Sequence, residues 1–122
     1  MSDQFSLCTA PIRVTDTSAP QRQPLSQALD VSEYDAADVL VHVLTLTGTS
    51  PSVTVKLLTA MQADTEDGWC TLATFTAITG SNQCELLRAT GPLRYIRWEV
   101  TLTGTGSPEV WFTLGGMLRE SA

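Results

Sequence analysis

Residues 93–103 alternate cleanly: Ile96, Trp98, Val100 and Leu102 point one way, and Tyr95, Arg97, Glu99 and Thr101 the other. A period of two belongs to a strand with one buried face, and a helix cannot satisfy it. The same period recurs along the chain. Val39, Val41 and Val43 share one side of 39–47, while Leu40, His42, Leu44 and Leu46 share the other. That segment is apolar on both faces and reads as a central strand. Val53, Val55, Leu57 and Met61 line one side of 53–61, and Val110, Phe112 and Leu114 face the core from the last strand. Residues 69–78 and 83–89 read as two more strands, and 25–30 as a short one. VSEYDAAD, 31–38, reads as a loop or one helical turn. Clusters rich in Gly, Ser, Pro and Asp at 48–52, 64–68, 80–82, 91–92 and 104–108 separate these runs. Turn signals spaced about every 8 to 14 residues are those of a β-sandwich or β-barrel. No run has a helical period.

One motif occurs twice. TLTGT stands at 45–49 and again at 101–105, each copy followed by a Ser/Pro segment and a new apolar strand. The spacing predicts two similar hairpins, one in each layer of a sandwich. Two copies are too few for a solenoid or propeller.

Residues 1–24 differ in character. Pro11, Pro20 and Pro24 punctuate a polar segment, which favours extended chain over helix. Short strands are expected near Phe5–Cys8 and Ile12–Val14. The expected organisation is an extended N-terminal arm, 1–24, and a β-domain, 25–122.

Composition excludes several classes of function. A formal charge of −6 on 122 residues disfavours nucleic acid and anionic membranes, both of which select basic surfaces. The opening MSDQFSLCTAPIRV has no basic segment followed by an apolar one, so no signal peptide is expected. No stretch approaches the roughly 18 apolar residues of a membrane span. Cys8, Cys70 and Cys84 form no CxxC pair, which predicts reduced, mostly buried thiols in a protein folded in the cytoplasm.

The sequence carries few residues that could do chemistry. His42 is the single histidine and lies in an apolar strand; it stands as a base for Cys70 or Cys84 only if the fold brings them together. GxSxG, HExxH, P-loop and GxGxxG motifs are missing from the sequence. Asp64, Glu66 and Asp67 cluster in one loop, and Asp30, Glu33, Asp35 and Asp38 in another. Neither matches the EF-hand spacing, and both read as solvated acidic turns. The reading is a non-enzyme without catalytic residues, metal or cofactor. Leu40, Leu44, Leu58, Tyr95, Trp111 and Met117 have outward parity. Such a surplus of outer apolar side chains suggests a protein–protein surface.

The runs LDVSEYDAADVLVHVLTLTGTSPSVTVKLLTAMQ, DGWCTLATFTAIT and GPLRYIRWEVTLTGTGSPEVWFTLGGMLR, about residues 28–119, resemble small β-sandwich structural proteins of tailed phages and phage-derived particles. The shared features are a strand, a GTSP-type turn, a DG-W-L-F segment, a GPLRYIR-type strand and a second Gly/Ser/Pro segment. The fold expected is an all-β, antiparallel, jelly-roll-like sandwich of about eight strands with an extended N-terminal arm. The resemblance implies a virion structural protein of the capsid-decoration (cement) or head–tail accessory type, assembled in the host cytoplasm. It implies a homotrimer, with the major capsid protein or another particle protein as partner. Phe5, Ile12 and Arg13 of the arm, with Tyr95 and Trp111, are the expected contact residues. The alternative is a carbohydrate- or receptor-binding sandwich using Trp111 and Tyr95, since sugars stack on exposed aromatic rings.

Overall fold

In a computed structural model, which describes residues 2–7 and 10–120, two strands of 25 residues dominate: β5 (Ala36–Ala60) and β8 (Tyr95–Arg119). They pair antiparallel along their whole length, from Ala36 opposite Arg119 to Ala60 opposite Tyr95. A straight strand of that length would reach roughly 80 Å at 3.3 Å per residue, far beyond a small domain. The ribbon therefore folds over. Its register breaks between Val43 and Thr45, between Thr47 and Thr49, and between Thr49 and Ser52. There Gly48 has φ +124° and Gly104 φ +133°, a conformation that side-chain-bearing residues rarely adopt. The fold-over is visible in Trp98 and Phe112, which would lie roughly 45 Å apart on a straight strand. Their rings meet edge to face with centroids 5.4 Å apart.

The remaining strands flank this ribbon. β7 (Gln83–Thr90) pairs with the first half of β5, and β6 (Cys70–Thr74) with its second half. On the other side, β1 (Ser2–Ser6) and β2 (Ile12–Val14) pair with the end of β8. β3 (Gln21–Arg22) and β4 (Leu29–Asp30) pair with its beginning. The result is one curled, eight-stranded antiparallel sheet whose two halves face each other. Counting the chain as eight successive limbs, the two halves have the orders 1-8-3-6 and 2-7-4-5, the connectivity of a jelly roll. The N-terminal segment is extended, as its prolines require, and runs the length of β8.

The core lies between the halves. Val39, Val41 and Val43 meet Val53, Val55 and Leu57 there, with Ile96, Val100, Leu102, Val110, Phe112 and Leu114 from β8, all at most 1% exposed. Each such side chain contributes about 1.5–3 kcal/mol by leaving water.

Several expectations need correcting. The GTSPS and GTGSP segments are not hairpin turns; they are bulged bends within continuous strands. The two TLTGT copies do lie in different halves of the sheet, Thr45–Thr47 opposite Glu109–Trp111 and Thr101–Thr103 opposite Ser52–Thr54, but they meet at a single fold-over, where Thr49 lies opposite Thr105. Residues 25–27 form a 3-10 turn, leaving only Leu29–Asp30 as strand. Leu58 keeps its outward parity, opposite Arg97 and outside the core cluster, yet it is buried. Met61, beyond the end of β5, is 64% exposed. Cys70 and Cys84 are exposed free thiols on the flanking strands β6 and β7, and Cys8 lies outside the described residues.

Arg97 departs furthest from its place in the alternation. It has outward parity, yet it is 0% exposed. The 61–69 loop crosses over it, stacking the Trp69 ring 4.5 Å from the guanidinium and pairing it with Glu66. Its NH1 also donates to the Gln23 carbonyl at 2.9 Å. Trp69 is fixed in turn by its Nε1, which donates to the Thr65 carbonyl at 2.9 Å.

Candidate interaction face

The half formed by β1, β2, β7 and the adjoining halves of β5 and β8 is the first layer. Its inner side is the valine row of β5. Asp38, Leu40 and His42 point outward by strand alternation. Strand pairing extends each into a row across the layer. Arg88, Asp38 and Met117 form one row, Leu86, Leu40 and Gly115 the next, and Cys84, His42 and Thr113 the third. β1 adds Gln4 beside Met117 and Ser6 beside Gly115, and β2 adds Arg13 beside Trp111.

The middle row is apolar and uneven. Leu86 is 68% exposed and Leu40 42% exposed. Gly115 offers no side chain, so a groove of about 460 Å³ opens above it, walled by Leu40, Met117, Thr113, Gln4 and Ser6. Glycine is required next door too. A Cβ on Gly116 would stand 1.8 Å from the Asp38 carbonyl oxygen. This close approach of two backbones is a common reason for glycine within a strand.

Both carboxylates on this face are paired with arginines. Asp38 Oδ1 accepts from Arg88 Nε at 2.6 Å and Oδ2 from Arg88 NH2 at 3.1 Å, and Arg119 Nε pairs with the same Oδ2. The Arg88 hydrogen bonds, then those of Arg119, hold its carboxyl down at about 2. Glu109 accepts from Arg13 Nε at 2.8 Å and from Trp111 Nε1 at 2.9 Å. Arg13 first, then Trp111, keeps the Glu109 carboxyl below its ordinary value. Trp111 is thus anchored by its nitrogen while its ring stays 36% exposed. Three arginines against two carboxylates give this face a net +1, on a chain of net −6.

Arg13 and Trp111, two of the expected contact residues, are brought together through Glu109. Phe5 and Ile12 are half-buried and pack against the core. Tyr95 lies apart, on the outer side of the second layer, with the Arg94 guanidinium 5.2 Å from its ring. Trp111 and Tyr95 therefore cannot form one aromatic platform. Leu86 and Gly115 escaped the sequence reading. The signal for Leu86 is ambiguous, since QCELLRAT carries leucine at both parities. The GG pair at 115–116 does mark a close backbone approach within a strand.

His42 and Cys84 are direct neighbours across β5 and β7. His42 Nε2 lies 3.2 Å from Asn82 Oδ1, and no hydrogen bond joins the imidazole to the thiol among the described residues. An activated thiol needs such a base. Glu66 is committed to Arg97 and Arg22, Asp30 to Arg94, and Asp38 to Arg88 and Arg119. Among the described residues no three His, Cys, Asp or Glu side chains are placed to hold a metal ion, and no helix is long and apolar enough to cross a membrane. No protein-family model matches the chain, and no curated protein matches it.

Proposed function

We propose that this chain is a non-enzymatic structural protein that binds and stabilises the surface of a larger protein particle, in the manner of a capsid decoration protein. The observation that carries the reading is the outer face of the first layer. Leu86, Leu40 and Trp111 are exposed together there, among ion pairs that leave little net charge. Exposed apolar groups inside a polar rim are the anatomy of a protein contact. Repetition over a particle turns a modest contact into tight net binding. Met61 at 64% and Leu93 at 42% exposure supply a second apolar spot, at the acidic pole formed by the 31–35, 61–69 and 91–94 loops. The test is density-gradient sedimentation of the tagged chain from cells that produce it, with electron microscopy of the heavy fractions. Recovery on particles supports the reading; recovery only at the top of the gradient, as free chain, refutes it.

A carbohydrate- or receptor-binding role is favoured by one observation, the Trp111 ring held rigidly beside Arg13 and Glu109. Glycan-array binding abolished by Trp111→Ala supports it, and an array without signal removes it.

A further inference from the structure

We infer that the outer face of the first layer is occupied by a second copy of this chain, with Leu86 of each copy filling the Gly115 groove of the other. The inference rests on the reading of this face as a protein contact and names its partner.

The geometry is reciprocal. Leu86, Leu40 and Gly115 lie in one row on adjacent strands. Strands are about 4.8 Å apart, so the exposed leucine and the groove are separated by about 10 Å, with Leu40 midway. A two-fold axis parallel to the strands and passing over Leu40 carries Leu86 of one copy onto Gly115 of its neighbour. The same rotation carries the groove onto the neighbour's Leu86, and Leu40 onto Leu40. Closed pairs require such self-complementarity.

Charge selects the same face. With +1 on this face, the rest of a chain of net −6 carries −7, so copies repel elsewhere. Here both carboxylates, Asp38 and Glu109, are already neutralised by arginines of their own chain. The face buries apolar surface while bringing together only the one excess arginine charge of each copy.

Sedimentation equilibrium of the full chain at micromolar concentrations tests this. A dimer is expected. Leu86→Glu should weaken it by about tenfold or more, because a carboxylate would enter an apolar groove. Met61→Glu, at the acidic pole, should leave the dimer unchanged. Far-UV circular dichroism checks that each variant is folded. A milder substitution gives an independent readout. In a chain with Cys8, Cys70 and Cys84 replaced by serine, Leu40→Cys should be cross-linked into dimers by a short bismaleimide, and Met61→Cys should not. A monomer throughout the range, a trimer, or a dimer indifferent to Leu86→Glu overturns the inference. Particle binding by a chain that stays monomeric in solution and on the particle would overturn this pairing alone. Loss of particle association as well would sink the functional reading with it.

Discussion

Gly48 is packed directly against Pro108: a Cβ on Gly48 would stand 2.9 Å from the Pro108 Cα. The relationship is reciprocated, since a Cβ on Gly104 would stand 3.0 Å from the Pro51 Cα. The glycine of each TLTGT copy therefore receives the proline that follows the other. The two bends are locked to each other, and this crossing fixes where the β5–β8 ribbon folds over.

Gly48→Ala and Gly104→Ala should each destabilise the fold by about 1–3 kcal/mol, because a side chain there is strained in φ and meets backbone. Urea unfolding measures the loss. The double variant should cost less than the sum of the two, since both relax one crossing; full additivity would mean that the bends are independent.

The edge-to-face contact of Trp98 and Phe112 joins the two halves of the sheet. Phe112→Ala should cost about 3–5 kcal/mol, the usual penalty for emptying an aromatic site in a core. A double-mutant cycle with Trp98→Ala should show a coupling of about 0.5–1.5 kcal/mol. A coupling of zero would mean that the halves do not rely on this contact.

Glu66→Gln leaves the Arg97 cation buried with a neutral partner, and should lower the urea midpoint. Adding Arg97→Met should restore part of the loss, because an apolar side chain in that enclosed site needs no counter-charge. A double variant less stable than Glu66→Gln alone would show that the stacking of the guanidinium under Trp69 outweighs the charge term.

Asp38 gives a defined acid response. Its carboxyl titrates at about 2 in the folded chain against 3.8 ordinarily, so its contribution is complete above about pH 4 and is lost as pH falls toward 2. Asp38→Asn should lower the melting temperature at pH 6. The gap between variant and parent should close between pH 4 and 2. A gap independent of pH would assign the effect to shape instead of charge.

The alternation of Ile96, Trp98, Val100 and Leu102 was legible because one face of that strand is buried along its whole length. The nature of GTSP was not, because turns and bulges use the same residues. What distinguishes them here is pairing with Thr105, 56 positions away in sequence. Arg97 reads as a surface residue since its cover, Trp69 and Glu66, comes from a loop elsewhere in the chain. Leu58 is buried on the same outer side as Arg97, which it lies opposite, and alternation alone does not reveal that this side is covered. Of the candidate face, the sequence showed Leu40, Trp111 and Met117 as outward apolar residues. Leu86 and Gly115 acquire meaning only when register aligns them with Leu40.

The central position of β8 in both halves has a consequence for how the protein is made. During synthesis β5 emerges before the strand that pairs with its full length, and the N-terminal strands emerge before either. A chain ending at Arg94 should show a disordered far-UV spectrum, because every strand except β6 and β7 pairs with β8; a native-like spectrum would contradict this. The valine-rich segment of β5 must then wait on the ribosome for a late-arriving partner, and slow translation in that interval would expose it to aggregation and to chaperones.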